Sequence, residues 1–131
     1  MIGLDTNVLV RYLTQDDPAQ SRKADALIGG AVGRGERCVI GPIVLCELAW
    51  VLRDAYDTPK DALISTFDRI LATQQFDITE KDRVREALEA YRTGRADFAD
   101  YLIGAANRSA GCVETVTFDR RLRGATGFRL L

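Results

Sequence analysis

Carboxylate side chains occur beside or inside apolar runs at several places in this sequence. Asp5 closes the run IGLD. Asp119 follows the run CVETVT, and Phe118 separates it from Thr117, the last residue of that run. Glu47 and Asp100 interrupt almost continuous apolar stretches. The apolar neighbours of Glu47 predict that it has little access to water. Because an unpaired buried ion costs several kcal/mol even after relaxation, we expect both Glu47 and Asp100 to need a partner.

A single divalent cation would give all of these carboxylates the same partner. Clustered carboxylates repel one another, and Mg²⁺ or Mn²⁺ accepts oxygen ligands while keeping several waters. The chain has no histidine and its cysteines are scattered, which disfavours zinc. An open Mg²⁺ or Mn²⁺ site can activate water and neutralise charge on a phosphodiester, so the residues indicate nuclease or phosphatase chemistry.

The missing histidine also excludes other enzyme classes. Ser-His-Asp and Cys-His nucleophiles and histidine acid–base pairs cannot form in this chain. The remaining tools are carboxylates, hydroxyls, arginines and a bound metal.

Polar neighbours of the acids add to this interpretation. Thr6 and Thr117 bring hydroxyl groups close to Asp5 and Asp119. Arginine presents a planar fork that suits phosphate, and an arginine cluster follows Asp119 directly; a solvated helix face is the alternative reading. The cluster consists of Arg120, Arg121 and Arg123.

Structural roles are open for three of the acids as well. Asp5 could cap the first helix, and Asp97 could cap a later helix or complement its dipole. Asp119 could open a turn in front of the arginines.

Short apolar strands alternate with longer helical patterns along the chain. This alternation predicts βαβ units, and therefore an α/β fold with a mainly parallel sheet. Sites in such sheets gather beyond the carboxyl ends of the strands, so we expect the acids, including Asp97, to meet at one edge. Asp17 and Pro18 are expected to start a helix, and Thr79 with Asp82 resembles a capping box. Strands are predicted at IGLD, RCVIG, Phe76 to Ile78, CVETVT and FRLL.

Length and composition predict one soluble domain spanning residues 1–131. The chain has 131 residues, 47% of them hydrophobic, and a net charge of −1. Three cysteines without a CxxC pair indicate a reducing compartment, and no signal peptide or membrane-spanning stretch is recognisable. A cytoplasmic location is expected, without a membrane partner.

Four segments, in this order and spacing, resemble PIN-domain ribonucleases, specifically the small toxins of the VapC kind from toxin–antitoxin pairs. They are GLDTNVLVRYL at 3–13, PIVLCELAWVL at 42–52, DFADYLIGAA at 97–106 and VTFDRRL at 116–122. The resemblance implies a three-layer α/β/α sandwich. It also implies Mg²⁺- or Mn²⁺-dependent cleavage of RNA that leaves a 5′-phosphate and a 3′-hydroxyl.

The resemblance assigns roles residue by residue. The acidic quartet that holds the metal corresponds to Asp5, Glu47, Asp100 and Asp119. Asp100 matches better than Asp97, because the family's aspartate directly precedes a run of small and aliphatic residues, here YLIGAA. Supporting roles fall to Asp97, to the polar pair Thr6 and Asn7, and to Thr117.

The same resemblance implies protein partners. Family members usually form homodimers and are inhibited by a cognate antitoxin whose C-terminal tail reaches the acids. An apolar groove for that tail is expected from the first helices. Leu13 and Trp50 could line it, although Trp50 could equally belong to the core.

Three other classes compete with a ribonuclease. A phosphoacceptor receiver domain needs a lysine after a late strand, whereas the lysines here are Lys23, Lys60 and Lys81. A haloacid-dehalogenase-like phosphatase needs a second aspartate where this chain has Asn7. A non-catalytic PIN-like module that binds RNA or protein stays open as the alternative.

Overall fold

A computed structural model describes residues 1–131. The chain forms two compact units, which we call the N-terminal unit (Met1–Thr79) and the C-terminal unit (Glu80–Leu131). None of the helices is both long enough and apolar enough to cross a membrane.

The N-terminal unit is built on a three-stranded, fully parallel sheet with the order β1-β2-β3. Each strand coincides with an apolar run, as predicted. Helices provide the crossovers that neighbouring parallel strands require. In chain order the elements are β1 (Ile2–Gly3), α1 (Thr6–Thr14), α2 (Pro18–Gly33), β2 (Cys38–Ile40), α3 (Pro42–Ala55), α4 (Lys60–Ala72) and β3 (Phe76–Ile78).

The start of α2 confirms the predicted cap. The Asp17 carboxylate accepts a hydrogen bond from the Gln20 backbone N–H at 3.1 Å, and Pro18 occupies the first helical turn, where its missing N–H costs nothing. The core of this unit contains fully buried side chains from the sheet and all four helices. The largest are Leu9, Ile28, Ile40, Leu45, Leu48, Phe67 and Ile70.

The C-terminal unit pairs two long helices with a small parallel sheet. Its elements are α5 (Lys81–Thr93), α6 (Phe98–Ser109), β4 (Thr115–Thr117), a 3₁₀ helix (Arg120–Leu122) and β5 (Phe128–Leu130). Strand β4 pairs with β5 in parallel, with Thr115 opposite Phe128. Both predicted C-terminal strands are therefore present.

The capping box predicted from Thr79 and Asp82 is wrong. Helix α5 begins at Lys81, and its N-cap is Glu80, which makes no side-chain cap hydrogen bond. Glu80 has a left-handed backbone with φ of 55°, so the chain turns one residue later than the box requires.

Two glycines allow close packing inside the C-terminal unit. A Cβ atom at Gly94 would lie 1.8 Å from the Tyr101 hydroxyl oxygen and 2.8 Å from the Ala90 carbonyl oxygen. A Cβ atom at Gly104 of α6 would lie 2.6 Å from the Phe128 ring. The rings of Tyr101 and Phe128 meet edge to face, with their centroids 6.3 Å apart. The missing side chain of Gly104 thus lets α6 and β5 pack closely.

Candidate active site

Asp5 lies two residues after the end of β1 and occupies the N-cap position of α1. Its backbone carbonyl accepts a hydrogen bond from Leu9 N–H, but its side chain makes no cap hydrogen bond. The exposed Asp5 carboxylate has no ion pair either, so capping does not account for its charge. This carboxylate is available to a ligand.

The expectation that Glu47 has little access to water is wrong. Helix α3 buries Leu45, Leu48 and Ala49, whereas Glu47 is exposed. The error arose because α3 also has apolar side chains on its solvent face: Ile43 is 77% exposed and Trp50 is 44% exposed. The apolar neighbours of Glu47 in sequence therefore do not enclose it.

Thr6 links the first helix to Glu47. The Thr6 side chain is buried, at 5% exposure, and its hydroxyl donates to Glu47 Oε1 at 3.1 Å. Asp5 adjoins Thr6 in sequence, so this hydrogen bond holds Glu47 of α3 beside the start of α1. The N-terminal unit thus gathers two of the predicted acids and Thr6.

A groove of about 310 Å³ runs between α1 and α2, the first helices. Val8, Ala24 and Leu27 give its lining apolar surface, and the other lining residues are polar or charged: Asn7, Arg11, Gln20 and Lys23. Leu13 and Trp50 do not line it. The alternative that Trp50 belongs to the core is also wrong, because 44% of this residue is exposed.

The start of α6 brings together Asp97 and Asp100. Asp97 is the N-cap, and its backbone N–H donates to Asp100 Oδ2 at 3.0 Å within a capping box. The predicted cap role of Asp97 is confirmed. Burial raises the pKa of the Asp100 carboxyl, and the charges of Asp97 and Asp119 raise it further.

Thr117, at the end of β4, orients Asp119. The Thr117 hydroxyl oxygen accepts a hydrogen bond from the Asp119 backbone N–H at 3.0 Å. Asp119 in turn caps the 3₁₀ helix, where its carboxylate accepts from Arg121 N–H at 2.9 Å. The predicted turn-opening role of Asp119 is therefore present, alongside any role toward a ligand.

Arg121 is the common partner of the three C-terminal acids. Its guanidinium lies 2.7 Å from Asp119 Oδ2, 3.2 Å from Asp97 Oδ1 and 3.7 Å from Asp100 Oδ2. Hydrogen bonds from Arg121 lower the pKa of the Asp119 carboxyl. The sequence grouped Arg121 with the phosphate-binding arginines and missed this pairing; its position two residues after Asp119 was the available signal.

The donor set suits a hard divalent cation, because it consists of carboxylate and hydroxyl oxygens. No group of three or more histidine, cysteine, aspartate or glutamate side chains is arranged to hold a metal ion. In the C-terminal unit the positive charge among the acids comes from Arg121 instead. The chemistry of the residues fits Mg²⁺ or Mn²⁺, and the Arg121 side chain would have to move to admit the ion.

Comparison with known proteins defines the class of this chain. The PIN domain family matches residues 2–127, a range that includes residues of both compact units. The chain belongs to the PIN domain family, which confirms the predicted three-layer α/β/α fold class with a mainly parallel sheet. A VapC ribonuclease from Aquifex aeolicus (strain VF5) is 25% identical over 120 residues, covering 92% of this chain and 88% of that protein. No solved structure matches the chain significantly.

Proposed function

We propose that this protein is a Mg²⁺- or Mn²⁺-dependent endoribonuclease and the toxin of a toxin–antitoxin pair, acting as a single PIN domain over residues 1–131. The observation that carries the proposal is the convergence of Asp97, Asp100 and Asp119 on one point, each within 4 Å of the same guanidinium. Carboxylates this close repel one another and need a positive partner, which here is Arg121 and in the proposal is a divalent cation that replaces it. The similarity to a VapC ribonuclease supports RNA as the substrate.

In this proposal a metal ion would be held jointly by four carboxylates: Asp5, Glu47, Asp100 and Asp119. When bound, a divalent cation would supply a water of lowered pKa and would neutralise charge on the phosphorus oxygens. Hydrolysis forms a bond between the water oxygen and phosphorus and breaks the bond to O3′, which leaves a 5′-phosphate and a 3′-hydroxyl.

The remaining roles belong to polar groups around these acids. The Thr6 hydroxyl fixes the orientation of Glu47 Oε1, and Thr117 holds the Asp119 backbone. Asp97 holds Asp100 at the start of α6. Asn7 is exposed beside Asp5 and is available to contact a ligand.

Partners are part of the same proposal. An antitoxin helix or tail would occupy the 310 Å³ groove between α1 and α2, where Val8, Ala24 and Leu27 offer apolar contacts. We propose a homodimer, which light scattering would detect as a mass near twice the 14.5 kDa of one chain. We also propose that the protein acts in the cytoplasm, in keeping with its three cysteines that form no disulfide.

The test is cleavage of total RNA by purified, antitoxin-free protein, with Mn²⁺ or Mg²⁺ compared with EDTA and the new 5′ ends mapped. Asp5→Asn removes a predicted metal ligand and should reduce cleavage at least about 100-fold, because even second-sphere changes cost 10- to 100-fold in metal sites. Asp82→Asn, an exposed acid of α5, is the matched control and should cleave like the wild type.

One observation favours the non-catalytic alternative. Arg121 already neutralises the C-terminal acids, as expected of a structural ion-pair cluster that never takes a metal. RNA binding without metal-dependent cuts by the wild type would favour that binding module. Cleavage by Asp5→Asn at the wild-type rate would instead contradict the assignment of Asp5 as a metal ligand.

A further inference from the structure

The C-terminal unit contains a cavity of about 740 Å³ to which the proposed chemistry assigns no role. Its walls come from α5, the turn before α6, α6 itself and the segment between the 3₁₀ helix and β5. The charged side chains of the lining are a single carboxylate, Glu86, and five guanidinium groups: Arg95, Arg108, Arg120, Arg121 and Arg123.

Three of these arginines have no counter-ion. Glu86 is hydrogen-bonded to Arg108, whose Nε donates to Glu86 Oε1 at 3.0 Å. Arg121 is hydrogen-bonded to Asp119. No ion pair or hydrogen bond engages the side chains of Arg95, Arg120 or Arg123. Like charges that line one concave wall focus a positive potential, which attracts anions.

The turn that carries Arg95 is held firmly. The Ala96 backbone N–H donates to the Tyr101 hydroxyl oxygen at 3.2 Å, and Ala96 itself is buried. On the other side of Arg95, Gly94 packs so closely on Tyr101 that no Cβ atom would fit. Arg95 therefore projects from a turn with fixed geometry, as a binding residue requires.

The size and the neighbours of the cavity indicate an extended ligand. Its volume falls within the range of sites that enclose drug-sized molecules, and it therefore exceeds what one phosphate group needs. Phe128 lines the wall half-buried and offers an apolar contact to a base or ribose. Arg121 belongs to this lining and also contacts Asp97 and Asp119, so the cavity adjoins these carboxylates.

We propose that this cavity binds consecutive phosphates of single-stranded RNA, next to the bond that is cut, and that Arg95, Arg120 and Arg123 are the contacts. The inference rests on the proposed ribonuclease function for its choice of RNA. It assigns a role to Arg95, which no motif of the sequence indicated, and it excludes Arg121 from phosphate binding while that residue pairs with the acids.

The test measures binding of a fluorescein-labelled oligouridylate by anisotropy in EDTA, so that cleavage does not interfere. The double variant Arg95→Gln/Arg123→Gln should bind on the order of 25-fold more weakly at 0.1 M salt, about fivefold for each lost phosphate contact. Its dependence of log K on log salt should become shallower by about 1.4, or 0.7 per contact on a single strand.

Two controls isolate the cavity. Arg22→Gln/Arg85→Gln removes the same charge from exposed arginines outside it and should bind with nearly wild-type affinity. Arg95→Lys/Arg123→Lys keeps the charge and should restore most of the binding, which also shows that the fold tolerates changes at these positions.

The outcomes separate this inference from the proposed function. Equal affinity of the Arg95/Arg123 and Arg22/Arg85 glutamine variants, or no RNA binding by the wild type, overturns the cavity assignment even if metal-dependent cleavage is observed. An equal loss with an oligoglutamate of the same charge would reveal an acidic-peptide site instead and would also overturn it. Selective loss of RNA binding supports the cavity, even if the wild type fails to cut RNA.

Discussion

Asp5 and Glu47 of the N-terminal unit meet no positive charge, whereas three aspartates of the C-terminal unit surround one guanidinium. Glu47 accepts a single hydrogen bond from the neutral Thr6 hydroxyl, and Asp5 has no side-chain partner. In the C-terminal unit Arg121 contacts each carboxylate. The first pair can accept a cation without losing an existing ion pair, and the second group must first release Arg121.

The two units also differ in the space around some of their glycines. The N-terminal glycines Gly3, Gly29 and Gly35 have open space where a Cβ atom would lie. The C-terminal glycines Gly94 and Gly104 are pressed against aromatic rings. Packing is therefore tight at these two glycines, whereas Gly111 and Gly124 of the same unit have open space. Four substitutions test the differences in charge and packing.

Gly94→Ala should have the largest effect. The new methyl group would collide with the Tyr101 hydroxyl and the Ala90 carbonyl, so we expect a loss of about 3 kcal/mol in the free energy of unfolding, near the upper end for overpacking. Urea denaturation measures it. The control Gly3→Ala, with open space around it, should change stability by less than about 0.5 kcal/mol; equal losses in both variants would remove the packing contrast.

Thr6→Val should weaken metal binding by roughly 10- to 100-fold, the usual cost of losing a group that orients a ligand. Valine keeps the shape of the buried threonine but cannot donate to Glu47. Calorimetric titration with Mn²⁺ measures the affinity. Thr66→Val, which loses a local hydrogen bond to Ala62 within α4, is the control, and matching affinities in the two variants would contradict an orienting role for Thr6.

Arg121→Gln should raise Mn²⁺ affinity by about 3- to 10-fold. The gain is modest because the Arg121 side chain is 48% exposed, and exposed ion pairs contribute little each. The same titration measures it, with Arg85→Gln as the control for lost charge. A lower affinity in Arg121→Gln would mean that the guanidinium supports the metal rather than competing with it.

Gly29→Ala should have the smallest effect, and it should stabilise the protein whereas Gly94→Ala destabilises it. Gly29 lies exposed within α2, where alanine should stabilise the protein by about 0.5–1 kcal/mol in urea denaturation. Gly35 has equally open space but a φ of +68°, so Gly35→Ala should destabilise by about 1–2 kcal/mol. If both changes stabilise, backbone conformation does not distinguish these glycines.

The sequence predicted those features that depend on local pattern. Each strand coincides with an apolar run, and the cap at Asp17 follows from its position before Pro18. The exposure of Glu47 could not be predicted because α3 is apolar on both faces, with Trp50 on the solvent side. Periodicity locates a buried face only when the opposite face is polar.

The ion pair between Arg121 and Asp97 could not be predicted from local sequence pattern either. Asp97 is 24 residues away in sequence, and only the fold brings it within 3.2 Å of the guanidinium. Arg95 gave no signal because a surface arginine after a glycine is unremarkable until a cavity is found beside it. Long-range pairing of charged side chains depends on tertiary geometry, which composition and spacing do not encode.

The exposed position of Trp50 gives the chain a built-in optical probe. It is the only tryptophan and lies 44% exposed on α3, while the C-terminal unit has tyrosines but no tryptophan. Indole emission therefore reports on the environment of the N-terminal unit, whereas circular dichroism averages over every helix. If the two signals change together in denaturant, the units unfold in one cooperative step; if they separate, each unit has its own stability.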